Sequence, residues 1–578
     1  MKVILANPLY DSALTSDRGF QLGLLYISTY LEANGIDCTV IAGEKIASRV
    51  IDMLGESESE YLVGFYVSAD NIFEVERCCN FVRKACPNVN IILGGPQARV
   101  SYRVFLENNL CDFVCIGDGE DCTLQLVRWL EQDDREVKDL ENVIALAYID
   151  DGTIKLSRRL YSTLNLDKFP IPKREHYQPN FANFSHICTS RGCASKCTFC
   201  YEGTINKLKR HSVDRIIEEM KYLSVEFGTK YFTFIDDTFT SDRKKVLNLS
   251  ARLDKEFTPG KDLLWYCECK PSDLVKWPDL VPAMVPSGLA RAQLGSESGV
   301  QDILDAYKKE MRVEDTQVAV SQLYNEGITS IFTNFIIGGA LETFETFEKT
   351  CCFMVDLLKS APGVLECSYS FLSPYTGTDI ELRPEHYGVD IVDPSFITGS
   401  SDSYVFVQPT GMNKDQVKGL GKVFREAITS TMEQIYSELP VDIIRKHIKA
   451  SRFGLRTNWV DQILQDPIQR NWARYTNQGY DDYLDIKNNE VEYGIPMRTF
   501  RMDVIIDNVL ILPRRKRKIR LNNLSFRALE LASGKIDLHT IAQILDSEFT
   551  LGANKEKQTA EVLNKFSAEN LIVFRKYF

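Results

Sequence analysis

Apolar stretches alternate with amphipathic, helix-like stretches along the first 150 residues. Residues 1–7 form a short apolar run that predicts a strand, and residues 23–35 have the spacing of a helix that ends at a glycine. Further strand-like runs lie at 38–42, 61–67, 90–93 and 112–116. Strands that alternate with helical stretches predict a doubly wound parallel sheet over residues 1–150.

A second series of strands and helices begins near residue 186, after a predicted linker at residues 151–185. Six strands are predicted, near 186–190, 231–235, 263–269, 290–296, 330–337 and 365–371. So many strands in about 200 residues favour a partial (β/α)6 barrel, which we assign to residues 186–390. Residues 391–512 are predicted to be mostly helical, and residues 513–578 form a small terminal unit. The chain is thus predicted to be an α/β protein with a Rossmann-like N-terminal domain.

The composition supports a folded protein of several domains. The chain has 578 residues, of which 44% are hydrophobic and 26% charged. Its formal net charge of −12 argues against nucleic acid as a partner. The sequence contains neither an apolar run long enough to span a membrane nor a secretory signal pattern, so we expect a soluble, cytoplasmic protein without a membrane partner. The 16 cysteines then predict reduced thiols and metal ligands.

Three cysteines stand at C-x3-C-x2-C spacing, in a glycine-containing loop after the first predicted barrel strand. They are Cys193, Cys197 and Cys200. Closely spaced thiolates suit zinc or an iron–sulfur cluster, and three ligands leave one iron of a four-iron cluster open to another molecule. A structural zinc site completed by Cys188 or His186 is the alternative.

This spacing resembles the motif of the radical S-adenosylmethionine (SAM) superfamily, and the resemblance continues along the barrel. Phe234–Phe239 follows the second strand, and Leu294–Gly299 looks like the G-x-E-S-G stretch of the cobalamin-associated branch. Phe335–Thr343 and Leu372–Thr378 resemble two further stretches of that branch, although Ala340 stands where proline is usual. The resemblance implies a [4Fe–4S] cluster on the three cysteines that binds SAM and cleaves it to a 5′-deoxyadenosyl radical, with electrons from an external one-electron reductant.

The same resemblance implies SAM contacts at the mouth of the barrel, among them a contact to the SAM amino group after the second strand. Strand alternation also puts polar side chains of the fourth strand on one face. A polar face inside a barrel is costly unless it meets a polar ligand, so we expect this face to meet SAM. The predicted SAM residues are Phe199, Asp236, Asp237, Arg291, Gln293 and Glu297.

Residues 1–150 resemble the cobalamin-binding domain of that branch, because two of their turns look like its G-G-P and G-x-G-E turns. The segment that supplies an axial histidine in other cobalamin proteins is absent, and the first histidine is His176. We therefore expect a lower cobalt face left to water or empty. A domain that kept the fold and lost the cofactor is the alternative. The predicted cobalamin residues are Ser68, Gly94, Gly95, Gly117, Gly119 and Glu120.

Residues 513–578 combine the basic run Arg514–Lys518 with two helical patterns and a closing strand. This order resembles the PqqD-like winged-helix module that binds the leaders of ribosomally synthesised, post-translationally modified peptides. The resemblance implies a precursor peptide as the partner of this module, captured by strand addition. A solvated basic strand and a purely structural winged helix are the alternatives.

The resemblances together imply a radical SAM enzyme, most simply one for cobalamin-dependent C-methylation of a precursor peptide. The runner-up is a radical SAM peptide epimerase in which Cys367 returns the hydrogen. Alternation places Glu366, Ser368 and Ser370 opposite Cys367, so this thiol is expected to face the helix layer if the polar face lines the cavity. A small-molecule radical SAM methyltransferase and a non-catalytic peptide-binding scaffold stay open.

Overall fold

The structure, a computed structural model, contains two compact units. The first comprises Met1–Ser360 and Cys367–Thr429, and the second comprises Ala361–Glu366 and Ser430–Phe578. None of the helices in the described part of the chain combines the length and the apolar character that a membrane span requires. The described residues are 1–8, 21–43, 45–55, 61–160, 165–178, 186–200, 208–393, 404–465, 494–498, 505–506, 509–512, 517–532, 536–568 and 572–576.

An eight-stranded sheet forms the N-terminal part of the first unit, in the order β7-β6-β5-β4-β3-β1-β2-β8. Its strands are β1 (Lys2–Pro8), β2 (Cys38–Gly43), β3 (Tyr61–Tyr66), β4 (Asn90–Gly94), β5 (Phe113–Cys115), β6 (Leu146–Asp150), β7 (Thr153–Leu156) and β8 (Tyr177–Gln178). The helices are α1 (Leu22–Ala33), α2 (Ile46–Leu54), α3 (Ile72–Ala85), α4 (Pro96–Glu107) and α5 (Gly119–Leu130). Strands β1 to β5 pair in parallel and are almost wholly buried, which explains their continuous apolar runs and confirms the predicted doubly wound sheet.

Residues 151–185, predicted to be a linker, contribute two strands to this sheet. Strand β7 pairs antiparallel with β6, and β8 pairs in parallel with β2. Between them, Leu166 and Phe169 are buried in the N-terminal core. The linker prediction was therefore wrong in its described part, because strands of two to four residues are too short to show a readable alternation.

Six strands form the partial barrel, in the order β16-β15-β14-β13-β12-β9. They are β9 (His186–Ile187), β12 (Tyr231–Phe234), β13 (Leu264–Cys269), β14 (Leu289–Glu297), β15 (Ser330–Ile337) and β16 (Leu365–Phe371). The sheet has two free edges, at β9 and β16, so the barrel is open, as predicted. Two short antiparallel pairs lie beside it, β10 (Ser190–Arg191) with β11 (Lys209–Arg210), and β17 (Val389–Ile391) with β18 (Val407–Pro409).

Helices pack between and around the barrel strands. They are α6 (Val213–Phe227), α7 (Arg243–Glu256), α8 (Pro271–Lys276), α9 (Leu280–Met284), α10 (Gln301–Ala306), α11 (Val313–Asn325), α12 (Phe344–Ser360) and α13 (Asp379–Leu382). Strand β13 shows why the pattern was readable. Trp265 is fully buried, whereas its neighbours Leu264 and Tyr266 are partly exposed, as expected for a strand with a helix-covered face and a cavity face.

The described residues after the barrel are mainly helical, as predicted. Its elements are α14 (Lys414–Ser437), α15 (Val441–Ser451), α16 (Asn458–Gln465), α17 (Asn523–Leu531), α18 (Leu538–Phe549) and α19 (Lys555–Ala568). The strands are β19 (Gly494–Arg498), β20 (Ile505–Ile506), β21 (Val509–Leu512), β22 (Arg517–Arg520) and β23 (Ile572–Lys576), and β19 pairs antiparallel with β23. Helices α17 to α19 share a small apolar core of their own. Within the basic run, residues 514–516 lie outside the described residues.

Candidate active site and cofactor cavities

The three motif cysteines lie on one loop, the cluster loop, which connects the short strands β10 and β11. Ser190 of β10 stands opposite Arg210 of β11, so the two ends of the loop meet. Cys193, Cys197 and Cys200 are each partly exposed, whereas the cysteines of the barrel strands are buried. Partly exposed thiols at the mouth of a barrel can be reached by a cluster and by a molecule that binds its open iron.

The thiol of Cys188 does not join this set. No three Cys, His, Asp or Glu side chains in the described ranges lie close enough to bind one metal ion. Cys188 donates instead to the backbone oxygen of Ser190 at 3.0 Å, and burial raises the pKa of its thiol to about 12. A tetrahedral zinc site needs four donors on one ion, so the zinc alternative gains no support. Three thiols held apart on one loop fit an iron–sulfur cluster, whose irons each take one thiolate.

A lysine that the sequence analysis did not single out lies beside the cluster loop. The ammonium group of Lys309 donates to Glu297 Oε1 at 2.7 Å and lies 5.7 Å from the ring centroid of Phe199. Burial lowers the pKa of Lys309, but the Glu297 carboxylate and Cys197 raise it by more, so the side chain stays charged. This cation suits an anionic cluster with thiolate ligands. Nothing in the local sequence marks it, because Lys308-Lys309 reads as an ordinary solvated pair.

Glu297 reaches the barrel mouth through an irregularity in β14. The register against β15 shifts between Gly295 and Glu297, and Glu297 itself has a left-handed φ of 58°. Such a backbone is costly for a residue with a side chain and is concentrated at functional sites. Gln293 lies on the same strand, where the Tyr266 hydroxyl contacts its amide oxygen at 2.9 Å. Arg291 stacks over the ring of Phe332 at 5.2 Å, so the predicted polar face is present.

Glu268 completes this polar face, and sequence reasoning did not select it. Its carboxylate lies 3.2 Å from the Tyr266 hydroxyl and stands opposite Gln293 in the β13–β14 register. Burial raises the pKa of Glu268 to about 7, against the opposing effect of its hydrogen bond from Tyr266. Residues two positions apart in a strand lie on the same face, so the position of Glu268 two residues after Tyr266 could have identified it.

The two aspartates after β12 have different surroundings. Asp236 is buried and accepts hydrogen bonds from the backbone N–H groups of Thr189 and Ser190, at 2.6 and 2.9 Å, and from the Thr189 hydroxyl. Its oxygens therefore hold the chain just before the cluster loop, and its role as a SAM contact stays a prediction. Asp237 is exposed at the barrel mouth. Asp237 is therefore the more accessible of the two aspartates that are predicted to contact SAM.

Cys367 faces the helix layer. It is buried on the same side of β16 as Tyr369, whose hydroxyl accepts a hydrogen bond from Arg425 of α14 at 2.8 Å. Ser370 lies on the opposite side, where its hydroxyl accepts a hydrogen bond from the amide of Asn334 at 3.0 Å. The hydrogen donor that an epimerase requires is therefore not in the barrel cavity at this position.

The carboxyl ends of the N-terminal parallel strands open into a cavity of about 370 Å³. The predicted residues Gly94, Gly95, Gly117, Gly119 and Glu120 line it, together with Arg191 and Ile235 from the barrel side. A Cβ at Gly95, Gly117 or Gly119 would come within 2.7 Å of Val67, Ala145 or Ile27, so the close packing of these turns requires glycine. No histidine lines this cavity in the described residues. The lining is mainly apolar, and a flat, bulky ligand such as a corrin ring would be held here by the glycine turns and the apolar side chains.

Two residues that are predicted to bind cobalamin, Ser68 and Glu120, have hydrogen-bond partners within the protein. Both the amide and the hydroxyl of Ser68 donate to Asn71 Oδ1, at 2.8 and 3.3 Å, and Ser68 does not line the cavity. Both carboxylate oxygens of Glu120 accept hydrogen bonds from Arg191. Both side chains thus have partners within the protein, and their contact with cobalamin stays a prediction.

Comparison with known proteins agrees with this two-part layout. Residues 187–354 match the Radical SAM superfamily, and residues 15–127 match the B12 binding domain. An uncharacterized methyltransferase of Pyrococcus horikoshii is 26% identical over 391 residues, covering 65% of this chain and 82% of that protein. The anaerobic magnesium-protoporphyrin IX monomethyl ester cyclase of Rubrivivax gelatinosus is 26% identical over 61% of this chain and 65% of its own length.

A solved structure shares the fold over nearly the whole chain. The structure of the cobalamin-dependent S-adenosylmethionine radical enzyme OxsB with aqua-cobalamin bound covers 99% of this chain and 81% of that chain, with a TM-score of 0.60 and 13% identity. The two domain matches lie on the two sites described above, the cluster loop and the glycine-lined cavity. The chain is therefore an enzyme in which residues 187–354 match the radical SAM superfamily and residues 15–127 match the B12 binding domain, and the cofactors that these two matches imply are a [4Fe–4S] cluster, SAM and cobalamin.

Proposed function

We propose that this enzyme is a methyltransferase that uses its cobalamin and its cluster together. The observation that carries the proposal is the shared border of the two sites, since Arg191 and Ile235 of the barrel line the glycine-rich cavity of the B12-binding domain. When bound, the cluster supplies the electron that cleaves SAM, and cobalamin carries a methyl group. The methyltransferase from Pyrococcus horikoshii, similar over 82% of its length, supports this reading.

The residues of this chain then have distinct tasks at the barrel mouth. Asp236 fixes the strand that leads into the cluster loop, through its bonds to Thr189 and Ser190. Lys309 holds Glu297 in place and supplies positive charge next to Cys197. A substrate that enters below the mouth meets the polar face of Glu268 and its neighbours, which can donate and accept hydrogen bonds. These groups bind and orient, and the cofactors supply the reactive species.

The proposal is tested by the fate of SAM in the reconstituted full-length protein. With a strong one-electron reductant and a heat-treated cell extract, in which other methyltransferases are inactivated, we expect both 5′-deoxyadenosine and S-adenosylhomocysteine, the second only when cobalamin is loaded. S-adenosylhomocysteine is the product that a methyl donation from SAM leaves behind. Formation of 5′-deoxyadenosine alone, with or without cobalamin, would contradict methyl transfer and leave another radical reaction.

For the substrate, we propose a ribosomally made precursor peptide that residues 513–578 capture. The small helical core of α17 to α19 and the antiparallel pair β19–β23 support this, because a short sheet with an edge can accept an added strand. A small-molecule substrate is the second candidate. It is favoured by the similarity to the cyclase of Rubrivivax gelatinosus, whose name gives a porphyrin ester as its substrate.

Transfer of isotope from [methyl-14C]SAM distinguishes these substrates. The reconstituted enzyme is incubated with labelled SAM, a reductant and a heat-treated extract of the source cells, and label that also appears without the enzyme is subtracted before the extract is treated with a protease. A peptide substrate predicts label that changes in size after the protease treatment. Label that is unaffected by the protease would reject the peptide and favour the small molecule.

A further inference from the structure

We propose that four charged side chains form a clamp that fixes the cluster loop to the B12-binding domain. The loop clamp consists of Asp118 and Glu120 at the start of α5, and of Arg191 and Lys209 at the base of the cluster loop. This inference goes beyond the proposed methyl transfer, because it assigns Asp118 and Glu120 a positioning role whatever the reaction is.

The first contact of the clamp is a two-pronged ion pair. The guanidinium of Arg191 donates from Nη2 to Glu120 Oε1 at 2.6 Å and from Nη1 to Glu120 Oε2 at 3.1 Å. A planar fork bound to both carboxylate oxygens fixes orientation as well as distance. Arg191 also lies over the ring of Tyr26, 4.7 Å from its centroid, and 5.6 Å from that of Phe169. Its position is therefore set by aromatic packing and by charge together.

The second contact fixes the other end of the loop. Lys209 stands directly opposite Arg191 in the β10–β11 pair, so the two cations bracket the cluster loop at its base. Lys209 donates to Asp118 Oδ2, and Arg191 also reaches Asp118 Oδ1 at 3.3 Å. Both strands at the base of the loop are thus tied to the first turn of one helix.

Burial makes the clamp sensitive to the loss of a single partner. The side chain of Glu120 is only 2% exposed, and that of Arg191 is 19% exposed. The folded protein tolerates a carboxylate this deeply buried only when a cation is paired with it. Removal of one partner leaves an uncompensated charge in the interior. Exposed surface pairs contribute far less, because water already solvates both groups.

The location of the clamp gives it a consequence for both cofactors. Arg191 lies two residues before Cys193, and Asp118, Glu120 and Arg191 all line the cavity of the B12-binding domain. The clamp therefore holds the cluster ligands at a fixed position relative to the cobalamin cavity. Without it, the base of the loop is expected to open more often.

Hydrogen–deuterium exchange of the reconstituted full-length protein tests this proposal. In Glu120→Gln and in Arg191→Lys, we expect amide exchange within residues 189–191 and 208–210 to increase by about tenfold. The matched control is Asp112→Asn, which breaks an ion pair with Arg83 inside the B12-binding domain and is expected to leave both segments unchanged. Unchanged exchange in either clamp variant would overturn the proposal.

A binding measurement separates the clamp from a direct role in cobalamin binding. If Glu120→Gln weakened hydroxocobalamin binding and left exchange at the loop base unchanged, Glu120 would be a cobalamin residue and not a clamp residue. Should Glu120→Gln fail to fold, Lys209→Met removes one of the two cations that bind Asp118 and keeps the pair of Arg191 with Glu120. We then expect faster exchange at residues 208–210, and unchanged exchange there would reject the clamp. Neither readout depends on turnover, so failure of the clamp and failure of the methyltransferase proposal are distinguishable.

Discussion

Two acidic side chains of the barrel, Asp236 and Glu268, are held by different partners. Asp236 accepts backbone hydrogen bonds from Thr189 and Ser190, which connect the end of β12 to the cluster loop. Glu268 contacts the hydroxyl of Tyr266, and burial raises its pKa to about 7. The first is a positioning residue, and the second is a group that can exchange a proton near neutral pH.

Replacement of Asp236 tests its role in positioning. In Asp236→Asn, one acceptor becomes an amide, and the bonds to the strand before the cluster loop are weakened. We expect at least about half of the iron to be lost during gel filtration of the reconstituted protein, since each such bond contributes on the order of 1 kcal/mol. Asp237→Asn is the matched control, because Asp237 is exposed, and it should retain its iron. Equal retention in both variants would contradict this role.

The pH dependence of stability tests the environment of Glu268. Its carboxyl has a raised pKa in the folded protein, so the neutral form favours folding and that contribution is lost as the pH rises from about 4.5 to about 7. Glu268→Gln does not titrate. We therefore expect the urea midpoint of Glu268→Gln relative to the parent protein to rise across this window and to level off above it.

The control for this measurement is an exposed glutamate. Glu326→Gln changes the same chemical group at the end of α11, where the side chain is exposed. Its urea midpoint should follow that of the parent protein at every pH. A difference between Glu268→Gln and the parent that stays constant with pH would show that Glu268 is not perturbed by burial.

Among the elements, the barrel strands were the ones that the sequence predicted most accurately. Strand β13 was expected at residues 263–269 and lies at Leu264–Cys269, because a long buried strand has many alternating positions. The bulge that brings Glu297 to the barrel mouth could not be predicted, since it depends on the register against β15. The short strands β7 and β8 were missed for lack of a readable pattern.

Strand alternation makes a prediction for Cys367. Because this side chain is buried against the helix layer, Cys367→Ala should leave 5′-deoxyadenosine formation within about twofold of the parent protein and lower the melting temperature slightly, by loss of a small buried group. The loading of the cofactors and the release of S-adenosylhomocysteine should also be the same as in the parent protein. If Cys367→Ala still cleaved SAM but formed no product, the peptide epimerase would again be the favoured function.

For the whole molecule, the sequence was sufficient for the two cofactor domains but not for the contacts between them. The three cysteines and the glycine turns are local motifs, and both lie at the expected strand ends. The bond from Arg191 to Glu120 joins residues 71 positions apart and depends on how two domains pack. No local pattern reveals such a partner, so the glycine turn predicted only a cobalamin contact for Glu120 and not its ion pair with Arg191.

The metal content of the full-length protein tests the central claim most directly. The protein is purified without oxygen from cells supplied with cobalamin and iron, and iron and cobalt are measured per chain. A chain that uses both cofactors predicts about four irons and about one cobalt, with iron lost and cobalt retained when the three cysteines are replaced by alanine. Iron without cobalt, after loading with excess hydroxocobalamin, would contradict the account.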